Sequence, residues 1–553
     1  MYDTVMNCFK KCFNLKELEC LYALMIKNNA VQDCFYMNQF ITTCSTFRRT
    51  DYAVRAFIQM KSPNAYVYNA IIKAFIHCLN PIQALHFYLS MLRAGVSPSS
   101  YTFPSVIKGC VLVSDLGFGE SVHGQIFRFG FGSNVFVQTS LIDFYSGFGR
   151  LVGARQVFDE IPERDGFVWT TMLSGYSRGG DMGSARRLFD EMPERNVATW
   201  NSLINGYARV RDMGSCELLF REMPEKDLIS WTTMISCYSQ NKLYSEALTV
   251  FSEMRMNGVR PDEVTMTTVI SSCAHLGALD LGKDIHLYVM QNGFELDVYI
   301  GSALIDMYAK CGSLERALVV FFKLQEKNLF CWNSIIEGLA VHGLAEEAIS
   351  MFGRMEKDNI KPNGVTFISV LSACTHAGLV EVGRRWFKKM THELSITPQI
   401  EHYGCMVDLL CKAGLFEDAL ELIQSMTMEP NAIIWGAVLG GSKLYKNLDI
   451  AQVAANMLMV LEPNNSGYYS LLVSMHADAN RWNEVAKTRS AMKELGVEKS
   501  CPGSSWIEME SKIHQFAASD KCHPAASQIY SLLHELESQL KLYGHVLEFE
   551  FFT

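Results

Sequence analysis

Nine residues return almost unchanged at a fixed spacing: VFDEIPERD (157–165), LFDEMPERN (188–196) and LFREMPEKD (219–227), each 31 residues after the last. Upstream of each lies another copied stretch: SLIDFYSGFGRLVGA (140–154), TMLSGYSRGGDMGSA (171–185) and SLINGYARVRDMGSC (202–216). Looser copies continue at TMISCYSQNKLYSEA (233–247), ALIDMYAKCGSLERA (303–317) and SIIEGLAVHGLAEEA (334–348). A period kept over most of a chain predicts an elongated array in which each unit packs only on its neighbours. It also restricts where function can lie, because an array displays one surface position once per unit.

Each unit carries two apolar stripes at helical spacing. In 298–328, Leu304, Ile305 and Tyr308 mark a first helix, and Leu314, Ala317, Leu318 and Phe321 a second. Between them Gly312 suits a left-handed helix end and Ser313 a cap for the next helix. Proline at the unit's end, as at Pro193 or Pro261, stops the second helix. A helical hairpin cannot bury both faces alone, so stacking must bury them. The expected fold is an all-α, right-handed superhelical α-solenoid of helix-turn-helix repeats.

The composition excludes other classes. Apolar residues make up 49% of the chain and prolines number only 14, against disorder. No apolar run approaches the ~18 residues of a membrane span. Net charge is −9, so a polyanion could not be held by bulk charge and would need a local groove and base-directed contacts. None of the 17 cysteines is spaced as CxxC. Cys110, Cys273 and Cys374 each stand eleventh in their unit, as small buried hydrophobes would, and imply a reducing compartment. The first twenty residues hold Asp3, Glu17 and Glu19 and no arginine, unlike a transit peptide.

Units begin near residues 34, 65, 100, 135, 166, 197, 228, 263, 298, 329, 364 and 400, in steps of 31, 35 or 36. Ordinary tetratricopeptide arrays keep 34. The mixed period resembles the PLS subfamily of pentatricopeptide repeat proteins of land-plant organelles, in which P-, L- and S-type motifs alternate. By that resemblance residues 1–33 are a partial N-terminal L-type repeat, which implies a start downstream of a leader, and 34–431 are the array. Residues 432–499 look like paired tetratricopeptide-like E motifs. Residues 500–553 resemble the extension that follows, with a PG box at Pro502, Gly503, Ser505 and Trp506 that the resemblance links to partner recruitment.

Many such relatives continue into a DYW deaminase domain, whose zinc chemistry needs His-x-Glu and CxxC. Neither occurs here, so no catalytic residue, metal or cofactor is expected in this chain. His514, His523 and His534 read as surface or packing residues. His123 and His286, each twenty-fourth in an L-type unit, read as inter-helix packing, and Glu191 and Glu194 as a solvated helix end.

The functional signal is variation at two positions of an otherwise constant unit, the fifth and the last. They read Asn38/Asn64, Asn69/Ser99, Thr139/Asp165, Thr170/Asn196, Asn201/Asp227, Thr232/Asp262, Ser302/Asn328 and Asn333/Asn363. All are small polar residues that can cap helices, and all can reach a base edge. By the family's code, Asn with Asp implies U, Asn with Asn or Ser implies C or U, Thr with Asp implies G, and Thr or Ser with Asn implies A. The second residue is often apolar (Phe35, Tyr66, Phe136, Phe167, Ile229, Tyr299, Phe330), suited either to stacking on bases or to packing between units. The resemblance implies a factor that binds single-stranded organellar RNA, in mitochondrion or plastid, and selects sites for C-to-U editing by a DYW-type deaminase acting in trans. The alternatives are an organellar splicing, stabilising or translation factor, and a protein-binding scaffold of tetratricopeptide type.

Overall fold

The computed structural model describes Phe9 and residues 14–27, 30–494, 504–509, 512–517 and 525–542. Packing divides the chain into two units, 1–241 and 242–553, and each contains a stack of paired antiparallel helices. Up to Glu494 every regular element among the described residues is helical. The fold is an all-α helical-repeat solenoid.

Eleven of the twelve first helices begin on the residue the repeat register predicts, from Cys34, Ala65 and Val135 to Gly364 and Ile400. The exception is the unit at 100, where the helix runs Thr102–Val113. The reason is Pro104. A start at residue 100 would put it where a backbone N–H must bond back one turn, whereas a start at Thr102 leaves it in the first turn, where none is needed.

The two period lengths differ by one helical turn of the second helix. In 35-residue units that helix has 13 residues, as in Pro81–Arg93, Leu116–Arg128 and Tyr244–Met256. In 31-residue units it has 9 or 10, as in Leu151–Asp159, Met182–Glu191 and Met213–Glu222. Removing about four residues removes about one 3.6-residue turn and leaves the apolar face in phase. The endings differ too. Long units turn through left-handed glycines, Gly95, Gly130, Gly258 and Gly293, with φ from 71° to 82°. Short units instead bury Ile161, Met192 or Met223 just before a proline. Arg164 and Arg195 then fold back to donate to the last helix carbonyls, those of Phe158 and Asp159 and of Phe189 and Asp190. Their guanidinium groups lie 4.6 and 4.8 Å from the Phe158 and Phe189 ring centres.

Between the helices of a pair the chain passes through one left-handed residue, Gly312 (φ 80°) in unit 298–328 as expected. Ser313 makes no side-chain cap, contrary to expectation. Longer Asp115, Asp181 and Asp212 do cap at equivalent turns. Successive first helices approach closely at glycines. A Cβ on Gly206 would lie 2.7 Å from the Ser177 side chain, and one on Gly338 2.7 Å from Ala309 Cβ. This close stacking sets the N-termini of the first helices side by side.

Two further helical hairpin motifs follow, Ala432–Leu444 with Leu448–Leu461 and Ser466–Asp478 with Trp482–Glu494. One apolar cluster runs from Tyr403 and Leu410 through Trp435 and Leu439 to Leu472 and Met475, so these motifs extend the stack. Beyond them lie an antiparallel hairpin, Ser504–Met509 with Lys512–Ala517, and a helix, Ala526–Leu542.

Candidate nucleic-acid interface

The last residue of a unit is the N-cap of the next first helix. Asn64, Asp165, Asn196, Asp227, Asp262, Asn328 and Asn363 each accept, through Oδ1, the backbone N–H three residues on, at 2.8–3.1 Å. Capping is therefore real at all these positions, and it fixes the chemistry of what remains. With Oδ1 committed, an Asn has its Nδ2 donor left over, while an Asp has Oδ2, an acceptor. Ser99 departs from this pattern, since the helix after it begins late. Its backbone N–H donates to Thr102 Oγ1, and its hydroxyl receives Asn69 Nδ2 at 3.0 Å.

The fifth residues divide by length. Asn38 reaches into the next unit and donates to the Tyr66 carbonyl at 3.0 Å. Asn69 bonds Ser99, and Asn333 Nδ2 lies 3.4 Å from Asn363 Oδ1, so in these two units the fifth and last residues touch. Shorter Thr139, Thr170 and Ser302 turn back and donate to carbonyls of their own helices, those of Val135, Gly166 and Tyr299. That leaves an open space where an Asn would reach across. In the unit of Thr170 both partners converge on Gly166: the threonine bonds its carbonyl, and Asn196 Nδ2 sits 3.3 Å from where its Cβ would be. Asn201 is buried with Oδ1 unpartnered. Thr232 is half-buried on the same register.

The second residues are exposed, so packing between units does not explain them. Phe35, Tyr66, Phe136, Phe167, Ile229, Tyr299 and Phe330 all present large apolar surface, from 43% (Phe35) to 70% (Phe330). The row also includes Tyr101, Val264, Val365 and Ile433, at the same register in the units beginning at 100, 263 and 364 and in the helical pair that follows the array. They could have been found from the repeat register. Pro104, Phe136, Thr139, Phe167 and Thr170 line one groove of about 700 Å³, together with Asp143 and Arg178. This surface offers, in most units, an exposed apolar side chain, a side chain of selected length and an edge that either donates or accepts.

Sequence comparison finds the repeats. Models of the PPR repeat family match residues 63–111, 226–275 and 327–376, models of the PPR repeat match 167–197, 198–228, 302–329, 365–393 and 401–429, and the E motif matches 445–508. The pentatricopeptide repeat-containing protein At1g06143 of Arabidopsis thaliana is 57% identical over 98% of this chain and 93% of its own length. This chain belongs to the pentatricopeptide repeat family. Another Arabidopsis thaliana relative, At1g08070, named chloroplastic, is 39% identical over 99% of this chain and 84% of its own. Among solved structures, the crystal structure of the pentatricopeptide repeat protein PPR10 from maize aligns with a TM-score of 0.54 at 16% identity, covering 88% of this chain and 82% of that one.

The remaining candidates fall into place around this surface. His123 and His286 bond Tyr145 and Tyr308 of the following unit through Nδ1, each at 2.8 Å. They are inter-unit packing residues, and burial lowers the pKa of both. Cys110, Cys273 and Cys374 are fully buried, and burial pushes Cys110 up to about 12 and Cys374 to about 11, leaving inert thiols. Glu191 and Glu194 are exposed at a helix end. Among the described residues no group of His, Cys, Asp or Glu has the arrangement of a metal site, and no helix is long and apolar enough to cross a membrane. Ser505 and Trp506 lie in the first strand of the tail hairpin, opposite Phe516 and Gln515. Pro502, Gly503 and His523 lie outside the described residues; His514 is in the second strand and His534 on the final helix.

Proposed function

We propose that this protein binds single-stranded organellar RNA, one base per repeat, and selects a cytidine for C-to-U editing by a deaminase supplied in trans. The observation that carries the reading is the helix cap. Uracil N3 and guanine N1 carry hydrogens, whereas cytosine N3 and adenine N1 are bare acceptors. An Asp cap with a free acceptor suits the first pair, and an Asn cap with a free donor suits the second. The fifth residue then sorts by size: a threonine that folds back leaves room for a purine, and an Asn that reaches across suits a pyrimidine. Exposed residues at the second position supply stacking that tolerates any base. Family membership supports the RNA reading. A mitochondrion or plastid is the expected site, in keeping with a relative named chloroplastic.

With the array running 5′ to 3′ from N- to C-terminus, units 34–363 select C/U, C/U, any, G, A, U, G, any, A, C/U. The edited cytidine lies beyond two further weakly specified bases, four nucleotides past the last. The test is Thr170→Asn, which leaves Asn above Asn196 and converts an adenine position to a pyrimidine, chiefly cytosine. Thr170 caps nothing, so folding is retained. Binding weakens on the adenine RNA by about 1–3 kcal/mol, roughly five- to over a hundredfold, and recovers on RNA with cytosine at that base. Unchanged relative affinities would remove the code. In cells lacking the protein, loss of conversion at one cytidine supports editing, and a change in transcript abundance supports a splicing or stabilising role instead.

A further inference from the structure

Three cations at the thirteenth position of first helices are already held by carboxylates. Arg178, thirteenth in its unit, places Nη2 2.5 Å from Oδ1 of Asp143, ninth in the unit before. Lys310 and Lys412, also thirteenth, lie 2.9 Å from Asp306 and Asp408, each ninth in the same unit. Glu337, ninth in the next unit and exposed, also faces Lys310 and Asp306. Residues five, nine and thirteen of a helix lie one turn apart on one face. Asp143 and Arg178 accordingly line the same groove as Thr139, Thr170, Phe136 and Phe167, and Asp408 lines the corresponding groove beside Gly404 and Asn431. Arg178 therefore stands in the proposed base-facing groove, and Lys310 and Lys412 hold the same register position on their own first helices, where a phosphate backbone would pass.

The pairs have little structural purpose. All six side chains keep solvent access, and exposed ion pairs add little to folding. Their consequence is electrostatic. A cation bound to a carboxylate at contact distance offers little field to a passing phosphate and must exchange one anion for another to bind it. A free cation binds any sequence alike, since phosphate contacts carry no sequence information.

We infer that Asp143, Asp306 and Asp408 are specificity-determining residues that act by suppression: they occupy Arg178, Lys310 and Lys412, so that RNA is held through bases in preference to phosphates. The net charge of −9 is the whole-chain expression of the same balance. The inference rests on RNA binding at this surface.

The experiment measures affinity of the full chain for the RNA given above and for a permuted RNA of identical composition, across a salt series. The proteins are the parent, the isosteric triple variant Asp143→Asn, Asp306→Asn, Asp408→Asn, and Arg178→Gln with and without Asp143→Asn. The triple variant gains on the permuted RNA by up to about fivefold per freed cation near ~0.1 M salt, and its log–log salt slope steepens by about 2, at roughly 0.7 per phosphate contact. The ratio between the two RNAs falls. Arg178→Gln leaves the parent slope nearly unchanged but cancels the gain made by Asp143→Asn, a coupling that separate effects would not show. An unchanged slope, or equal weakening on both RNAs with a lowered melting temperature, overturns the inference and leaves the base code standing. A parent that binds neither RNA at any salt overturns the RNA reading, and this inference with it.

Discussion

Asn196 and Asp227 hold the same place in consecutive repeats and make the same bond, each accepting a backbone N–H at the start of a helix. What differs is the second terminal atom, an amide nitrogen in one and a carboxylate oxygen in the other. Under the proposed code, capping and recognition share a side chain without competing, since each uses a different atom. Substituting Asn196→Asp should leave the melting temperature within a degree or two, because Asp and Asn cap about equally well. It should also convert the preferred base from adenine to guanine at that one position, measured by competition between the two RNAs. Loss of binding to both would show that the free atom does not face the base. The candidate positions were legible in the sequence because the repeat aligns them. The orientation that gives them meaning was not, since residue identity does not say which oxygen a helix will engage.

At the scale of elements, each repeat is fastened to the next by contacts that cross the register. His123 with Tyr145 and His286 with Tyr308 are two copies of one such fastening, each joining a long unit to the following short one. Burial lowers both histidine pKa values, with nearby cations adding to the effect at His286. The unfolded chain thus takes up these protons near pH 6.5 and the folded chain only at lower pH. Their contribution to stability is complete above pH 6.5 and is lost as pH falls from there through the depressed folded values. Melting temperature should drop between pH 7 and pH 5, and the drop should be smaller in the double variant His123→Gln, His286→Gln. An equal drop in both proteins would place the acid sensitivity elsewhere. The spacing of these histidines pointed to packing; their tyrosine partners, 22 residues on, became visible only when the units were stacked.

On the scale of the whole molecule, a chain built from equivalent units tolerates removal of one. Deleting residues 197–227 would join Asn196 to Leu228, two residues already related as cap and helix start in every copy. Stability in such arrays is approximately a sum of unit and neighbour terms, so the shortened protein should fold. It should prefer an RNA from which the one uracil assigned to that unit has been removed, read as a gain on the shortened RNA and a loss on the original. A protein that folds but keeps its original preference would refute one-base-per-unit reading.

The sequence by itself determined the period, the two helices of each unit, eleven of twelve helix starts and the two columns of variable polar residues. It could do so because each depends on local propensity, on turn residues and on a repeat that averages out noise. It missed the start at Thr102, where one proline moved a helix by two residues, and the cap assigned to Ser313, whose side chain makes no such bond. Only the tertiary structure decided that the second-position aromatics are exposed, that Asn38, Asn69 and Asn333 bond across units while Thr139, Thr170 and Ser302 bond within their own helices, and that carboxylates occupy Arg178, Lys310 and Lys412. Those outcomes depend on the distance between neighbouring first helices. That distance is set by how closely Gly206 and Gly338 admit the preceding unit, a property of stacked helices rather than of any one segment.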